Sequence, residues 1–201
     1  MKNVRDKGQL FSEMHKAAIE RLRLQNAEQI SRLGDIPFDG SSFRFGCLGQ
    51  RITVSYPEYD VSPELDMWQI LVILHYLADA DGTPLSGKQI TFSEYRDGMV
   101  RGGGFDRDVE DIIRKELGIL SAAELEKRCL EAGAERAPSN ADFCVKFEMM
   151  PRYPVWLKIW FADEDFPASG RMLLDSSAEH YLSIEDAVTV GTLILDRLKQ
   201  R

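Results

Sequence analysis

Between Asp163 and Asp186 the chain gathers seven carboxylates (Asp163, Glu164, Asp165, Asp175, Glu179, Glu185, Asp186) around one arginine, Arg171, and one histidine, His180. In an extended segment Asp163 and Asp165 share a side, their α-carbons roughly 6–7 Å apart. Anions that close call for a bound cation, a basic neighbour or screening solvent. A centre built from Asp163, Asp165 and Asp175 would suit Mg²⁺, Mn²⁺ or Ca²⁺ better than Zn²⁺, because its ligands are hard oxygens. With His180 as general base it would make a metal-assisted hydrolase or lyase. That reading requires residues 166–174 to fold back as a loop, and a solvated acidic turn accounts for the same letters.

Ligand capture fits the stretch better. Pro167-Ala168-Ser169-Gly170 would present backbone amides, Ser169 a hydroxyl and Arg171 a charge to an anionic small molecule or cofactor fragment. The site is expected where the loop 163–175 meets the helix start at 180–186. Loops between regular elements are where scaffolds carry sites. Ser169 stands outside the GxSxG pattern of an activated serine, and no particular cofactor is specified. Glu185 and Asp186 also have a structural role, as acids in the first turn of a helix capped by Ser183. Glu179 serves Ser176 in the same way. A third reading is an interaction module: Trp156, Lys158 and Trp160 alternate with Val155, Leu157, Ile159 and Phe161 along one strand. The Trp156/Trp160 face is expected to lie under a helix, and exposed it would be a partner surface.

Two glycine-rich stretches resemble anion sites only in outline. Gly82-Thr83-Pro84-Leu85-Ser86-Gly87-Lys88-Gln89 has the spacing of a phosphate loop, but Gln89 replaces the magnesium-binding hydroxyl and a helix precedes it. Arg101-Gly102-Gly103-Gly104 stands before a helix expected near Asp106, where amides could face an anion; a flexible surface loop explains it as well.

These residues need a scaffold, and the chain supplies one. Its 201 residues, 44% hydrophobic and 29% charged, suit one sizeable core. A net charge of -8 with scattered basic residues argues against nucleic-acid binding and against an anionic membrane surface. The longest fully apolar run, Ile70–Leu74, is too short to span a bilayer, and residues 1–11 contain no apolar leader core. Cys47, Cys129 and Cys144 are isolated and odd in number, which suits buried free thiols in a reducing cytosol.

Apolar periodicity predicts a long amphipathic helix from Val4 to Leu33, able to dock on the core or on a second copy. A hairpin follows over Ser42–Tyr56, turning at Leu48-Gly49. Ser62-Pro63-Glu64 reads as a helix start, leading to an all-round apolar central helix ending near Ala80. Asp81–Gly104 is loop-rich, with a short element near Ile90–Asp97. Helices are expected at 107–117 and 122–132, the second with the capping box Ser121/Glu124. Strands follow at Phe143–Met149 and Val155–Phe161, then a last helix from Ser183. No internal repeat is evident. Locally paired hairpins imply a single α+β domain over 1–201, with a largely antiparallel sheet packed against several helices.

The segments Trp156–Gly191 and Ile70–Gly98 resemble a prokaryotic family known as domain of unknown function 3786, most specifically at Ala162–Gly170 and His180–Gly191. The resemblance implies a cytoplasmic protein whose motif residues include Asp163, Pro167, Ser169, Gly170, Asp175, His180, Tyr181, Glu185 and Asp186. Some members are joined to iron–sulfur domains related to corrinoid and one-carbon metabolism. The resemblance brings no catalytic residues with it.

Overall fold

The computed structural model describes residues 7–199. Val4 lies outside them. The expected long first helix is two: α1 (Lys7–Arg23) and α2 (Ala27–Gly34). Asn26 separates them because its side-chain oxygen accepts from the amides of Glu28 (2.9 Å) and Gln29 (3.1 Å), which restarts the helix in a new direction. Both helices pack on the core of this chain, with Ala18, Leu22 and Ile30 at 1% exposure or less.

β1 (Ser42–Cys47), β2 (Gln50–Ser55) and β3 (Val61–Ser62) form a three-stranded antiparallel sheet. The expected hairpin is there, turning at Leu48 and Gly49, both at positive φ. Ser62 does not open a helix: it pairs with Thr53. The helix α3 (Met67–Asp79) begins five residues later, capped by Asp66, which accepts from the amide of Trp68 at 2.8 Å. As its composition requires, α3 is central: Leu71, Val72, Ile73, Leu74, Tyr76 and Leu77 are all 2% exposed or less.

After a loop over residues 80–88 come β4 (Gln89–Ile90), a 3₁₀ turn (Phe92–Glu94), and α4 (Gly98–Ile112), continued as a π turn to Leu117. The three glycines expected as a loop lie inside α4. Gly98 and Gly102, one turn apart, let the helix rest on the Phe92 carbonyl, which a Cβ at either position would strike. Packing overrides low helix propensity here.

α5 (Ala122–Glu131), β5 (Ala134–Arg136), β6 (Phe143–Met150), β7 (Tyr153–Trp160), β8 (Ser169–Asp175) and α6 (Ile184–Lys199) complete the chain. The second sheet is antiparallel throughout, in the order β4-β8-β7-β6-β5. This is the expected α+β architecture, with two antiparallel sheets and six helices among the described residues. One face of the large sheet enters the core through Phe143, Val145, Phe147, Val155, Leu157 and Ile159, each 1% exposed or less. α4 and α6 press on this face: Gly191 leaves room for the Phe105 ring and the Met172 sulfur, and Gly170 for Ile113. Trp156, Lys158 and Trp160 point to the other face and keep partial exposure, so that face is not fully covered.

Candidate functional site

The segment 169–175 decides where the predicted site residues go. It is a strand and not a loop, paired with β7 from Trp160↔Ser169 to Val155↔Leu174. Six residues of strand span about 20 Å. Asp175 at one end and the Asp163/Asp165 turn beyond the other are therefore held apart. Among the described residues no group of three or more His, Cys, Asp or Glu could hold a metal ion. The centre built from Asp163, Asp165 and Asp175, with His180 as its base, is thus corrected: the ladder keeps its ligands at opposite ends. Asp163 serves its own turn, accepting from the amides of Asp165 (2.9 Å) and Phe166 (2.8 Å).

At the C-terminal end of β8, Asp175 is 1% exposed. Its carboxylate accepts from the Ser86 amide and hydroxyl (2.9 and 2.8 Å), the Gly87 amide (2.8 Å), and the Ser177 amide and hydroxyl (2.9 and 2.7 Å). Burial by itself would raise the carboxyl's pKa, but these donors outweigh it and hold it below the usual carboxylate range. The loop with phosphate-loop spacing does cradle an anion. That anion is the protein's own Asp175.

The loop also meets the segment that leads into α6. His75 Nδ1 lies 2.8 Å from Asp186, and His180 Nδ1 lies 2.7 Å from Asp81. Between the two pairs the Tyr76 and Tyr181 rings stack at 5.2 Å, inclined by 16°. Each half has the same order and spacing: His75-Tyr76-Leu77 with Asp81, and His180-Tyr181-Leu182 with Asp186. Each histidine takes the aspartate of the other half. This short internal echo, absent from the reading of the sequence, forms a reciprocal clasp between α3 with its following loop and the entry to α6. The Tyr181 hydroxyl donates to the Thr83 carbonyl, closing the same seam.

The two halves differ in burial. The side chains of His75 and Asp186 are each 11% exposed, against 39% and 50% for His180 and Asp81. Desolvation would raise Asp186, yet the hydrogen bond and charge of His75, with Ser183, hold it low. Asp81 is held low in the same manner, desolvation being outweighed by Thr83 and His180. Below the inner pair Tyr95 donates to the Leu182 carbonyl at 2.7 Å. Among the described residues the Tyr153 hydroxyl, sealed from solvent, makes no hydrogen bond of full geometry, although the Tyr95 hydroxyl interacts with it. Its ionisation is pushed far up by burial and by its neighbours Tyr95 and Asp186. A carboxylate-oriented imidazole is the arrangement of a general base. Among the described residues, however, neither histidine is hydrogen-bonded to a serine, threonine or cysteine. The three cysteines are buried, with burial pushing Cys47 to about 11 and Cys129 to about 12, so none is a ready nucleophile.

Ser169, Gly170 and Arg171 come together elsewhere, in a cleft of about 580 Å³ between β8 and α4. Trp160, Thr91, Asp106, Arg107 and Glu110 also line it. Asp106 is occupied by the amides of Phe92 (3.1 Å) and Ser93 (2.9 Å). Among the described residues the guanidinium groups of Arg107 and Arg171 form no hydrogen bond or ion pair. Pro167 lies outside the lining, and its neighbour Ala168 packs against Gly118. The predicted set is therefore divided three ways: Asp163 and Asp165 in the turn, Ser169 to Arg171 in the cleft, and Asp175, His180 and Tyr181 at the clasp. Sequence reasoning missed His75, hidden in an apolar run, and Arg107, hidden among the charges of α4. The repeated His-Tyr-Leu spacing was the one available signal for His75.

The architecture defines an α+β protein with two antiparallel sheets, and among the described residues no helix is long and apolar enough to cross a membrane. The chain belongs to the family described as Domain of unknown function (DUF3786), whose profile matches residues 26–197. The match spans both halves of the clasp and the cleft. No curated protein and no solved structure gives a significant match.

Proposed function

We propose that the protein is a ligand-binding domain that takes a small anionic molecule in the cleft between β8 and α4. One observation carries this reading: two guanidinium groups that form no hydrogen bond or ion pair among the described residues, Arg107 and Arg171, line the same cleft as an indole and a hydroxyl. Arginine is the side chain best matched to carboxylate and phosphate oxygens, because its planar fork donates two parallel hydrogen bonds. Ser169 adds a donor, and the Trp160 ring forms an apolar wall. Asp106 is already spent on the backbone, which leaves Glu110 as the carboxylate to orient a ligand by repulsion. The cleft's volume of about 580 Å³ lies within the usual range of small-molecule clefts.

Isothermal titration with pyrophosphate, tripolyphosphate and citrate tests the proposal. Binding by the wild-type chain should weaken at least about tenfold in Arg171→Ala and in Arg107→Ala, the loss of one charged hydrogen bond. Absence of binding for all three anions, or binding indifferent to both substitutions, would refute it.

A further inference from the structure

The face of the large sheet turned away from the core has a pattern that names a ligand class, resting on the anion-binding reading of the cleft. Along β7, Trp156, Lys158 and Trp160 face outward, while Val155, Leu157 and Ile159 are fully buried. The register sets Lys146 and Leu173 beside Trp156, Cys144 and Arg171 beside Lys158, and Ser169 beside Trp160. Lys158 thus stands between two indoles whose α-carbons are about 13 Å apart, with Arg171 as its cross-strand neighbour. Among the described residues neither indole has a hydrogen-bond or ring partner, and Lys158 has no ion pair.

The acids around this face are mostly committed. Glu135 holds Lys146 at 2.6 Å. Asp142 accepts from the Phe161 amide at 2.9 Å. Glu94, within Coulombic reach of Arg171, is bound by the amide and hydroxyl of Thr91. Glu148 lies at the far end, beside Pro154. In a chain of net charge -8, Lys158, Arg171 and Arg107 set three cations around the partly exposed Trp160, against the Asp106 and Glu110 carboxylates of the same cleft.

We propose that this site binds a nucleoside di- or triphosphate. The base stacks on Trp160, because an indole face accepts the π-surface of any base. Its phosphates then reach Lys158 and Arg171, one register step away, and Arg107 across the cleft. A single step of about 6–7 Å along the strand matches the distance from a stacked base to its phosphate chain. A nucleic-acid polymer fits less well: its backbone would leave this short cationic row and meet the field of an acidic protein.

The test is a calorimetric titration of the full chain with ATP, ADP, adenosine, tripolyphosphate and a ten-residue oligothymidylate. ATP should bind about tenfold more tightly than tripolyphosphate, from one base stack. Trp160→Ala should abolish that difference and leave tripolyphosphate unchanged, while Trp160→Phe should retain most of it. Arg171→Ala should weaken both ligands. Circular dichroism verifies that each variant folds. Equal affinity for ATP and tripolyphosphate would sink the nucleotide inference and leave the anion site standing. Tighter binding of the oligonucleotide than of ATP would overturn it in favour of single strands. No binding of any phosphate compound would remove both readings.

Discussion

The two halves of the clasp share a chemistry and differ in burial, so their energies should differ in a way that double-mutant cycles can read. Removing either partner of the inner pair, as His75→Ala or Asp186→Ala, leaves a largely buried polar group unpaired and should cost about 3–5 kcal/mol. Part of the Asp186 cost is the lost cap, since Ser183 bonds the same carboxylate at 2.7 Å. The cycle subtracts that part and should leave a coupling of about 2 kcal/mol. For His180 and Asp81, whose side chains are 39% and 50% exposed, water screens the pair and the coupling should be about 0.2–1 kcal/mol. Urea unfolding at neutral pH gives the seven stabilities that the two cycles need. Repeating it in 1 M salt should shrink the outer coupling and spare the inner one. Asp186 is held below its unfolded pKa. Its contribution is therefore fully present above the unfolded carboxylate value of about 4 and is lost as pH falls through the folded value. Asp186→Asn should remove that acid-dependent part. Equal couplings, or an outer coupling larger than the inner, would refute the argument that burial sets the strength of each half.

Two further substitutions probe the buried polar groups. Asp175→Asn keeps the shape but removes the charge that five donors address, and should cost about 2–4 kcal/mol in urea unfolding. Because the Asp175 carboxyl is also depressed, this deficit should be present above the unfolded carboxylate value of about 4 and shrink as pH falls through the folded value; a constant deficit would contradict it. Tyr153→Phe removes a buried hydroxyl that makes no hydrogen bond of full geometry among the described residues. It should leave stability unchanged or raise it by up to about 1 kcal/mol, and a loss beyond 1 kcal/mol in thermal unfolding would show a bond to that hydroxyl.

Periodicity made the regular elements readable where one face had to be buried. Phe143, Val145 and Phe147 alternate with outward Lys146 and Glu148, and the strand lies where that alternation runs. The apolar circumference of α3 predicted a central helix, and it is central. Readings failed where a local signal met a stronger tertiary demand. Ser62 and Pro63 look like a cap, but Ser62 has a ladder partner in Thr53. Gly102, Gly103 and Gly104 look like a loop, but they lie inside α4, where Gly102 together with Gly98 lets the helix rest on the Phe92 carbonyl.

The site was less readable than the fold, because its residues are joined by contacts with no sequence locality. Ser169, Gly170 and Arg171 are adjacent in the chain and line one cleft. Their pocket partner Arg107 is distant in the chain, and the strand they form carries them away from His180. His75 and Asp186, 111 residues apart, offered only matching spacings as a clue.

By itself the chain determined its class: apolar periods of two and 3.6 residues, clear caps and an acidic balance dictate an antiparallel α+β protein without a membrane-spanning helix. Tertiary structure alone decided which polar groups meet. A strand ladder turned one supposed loop into a rigid spacer, and the packing of α3 against α6 brought each histidine to the other half's aspartate. Periodicity is a property of neighbours along the chain, whereas a site is a property of neighbours in space.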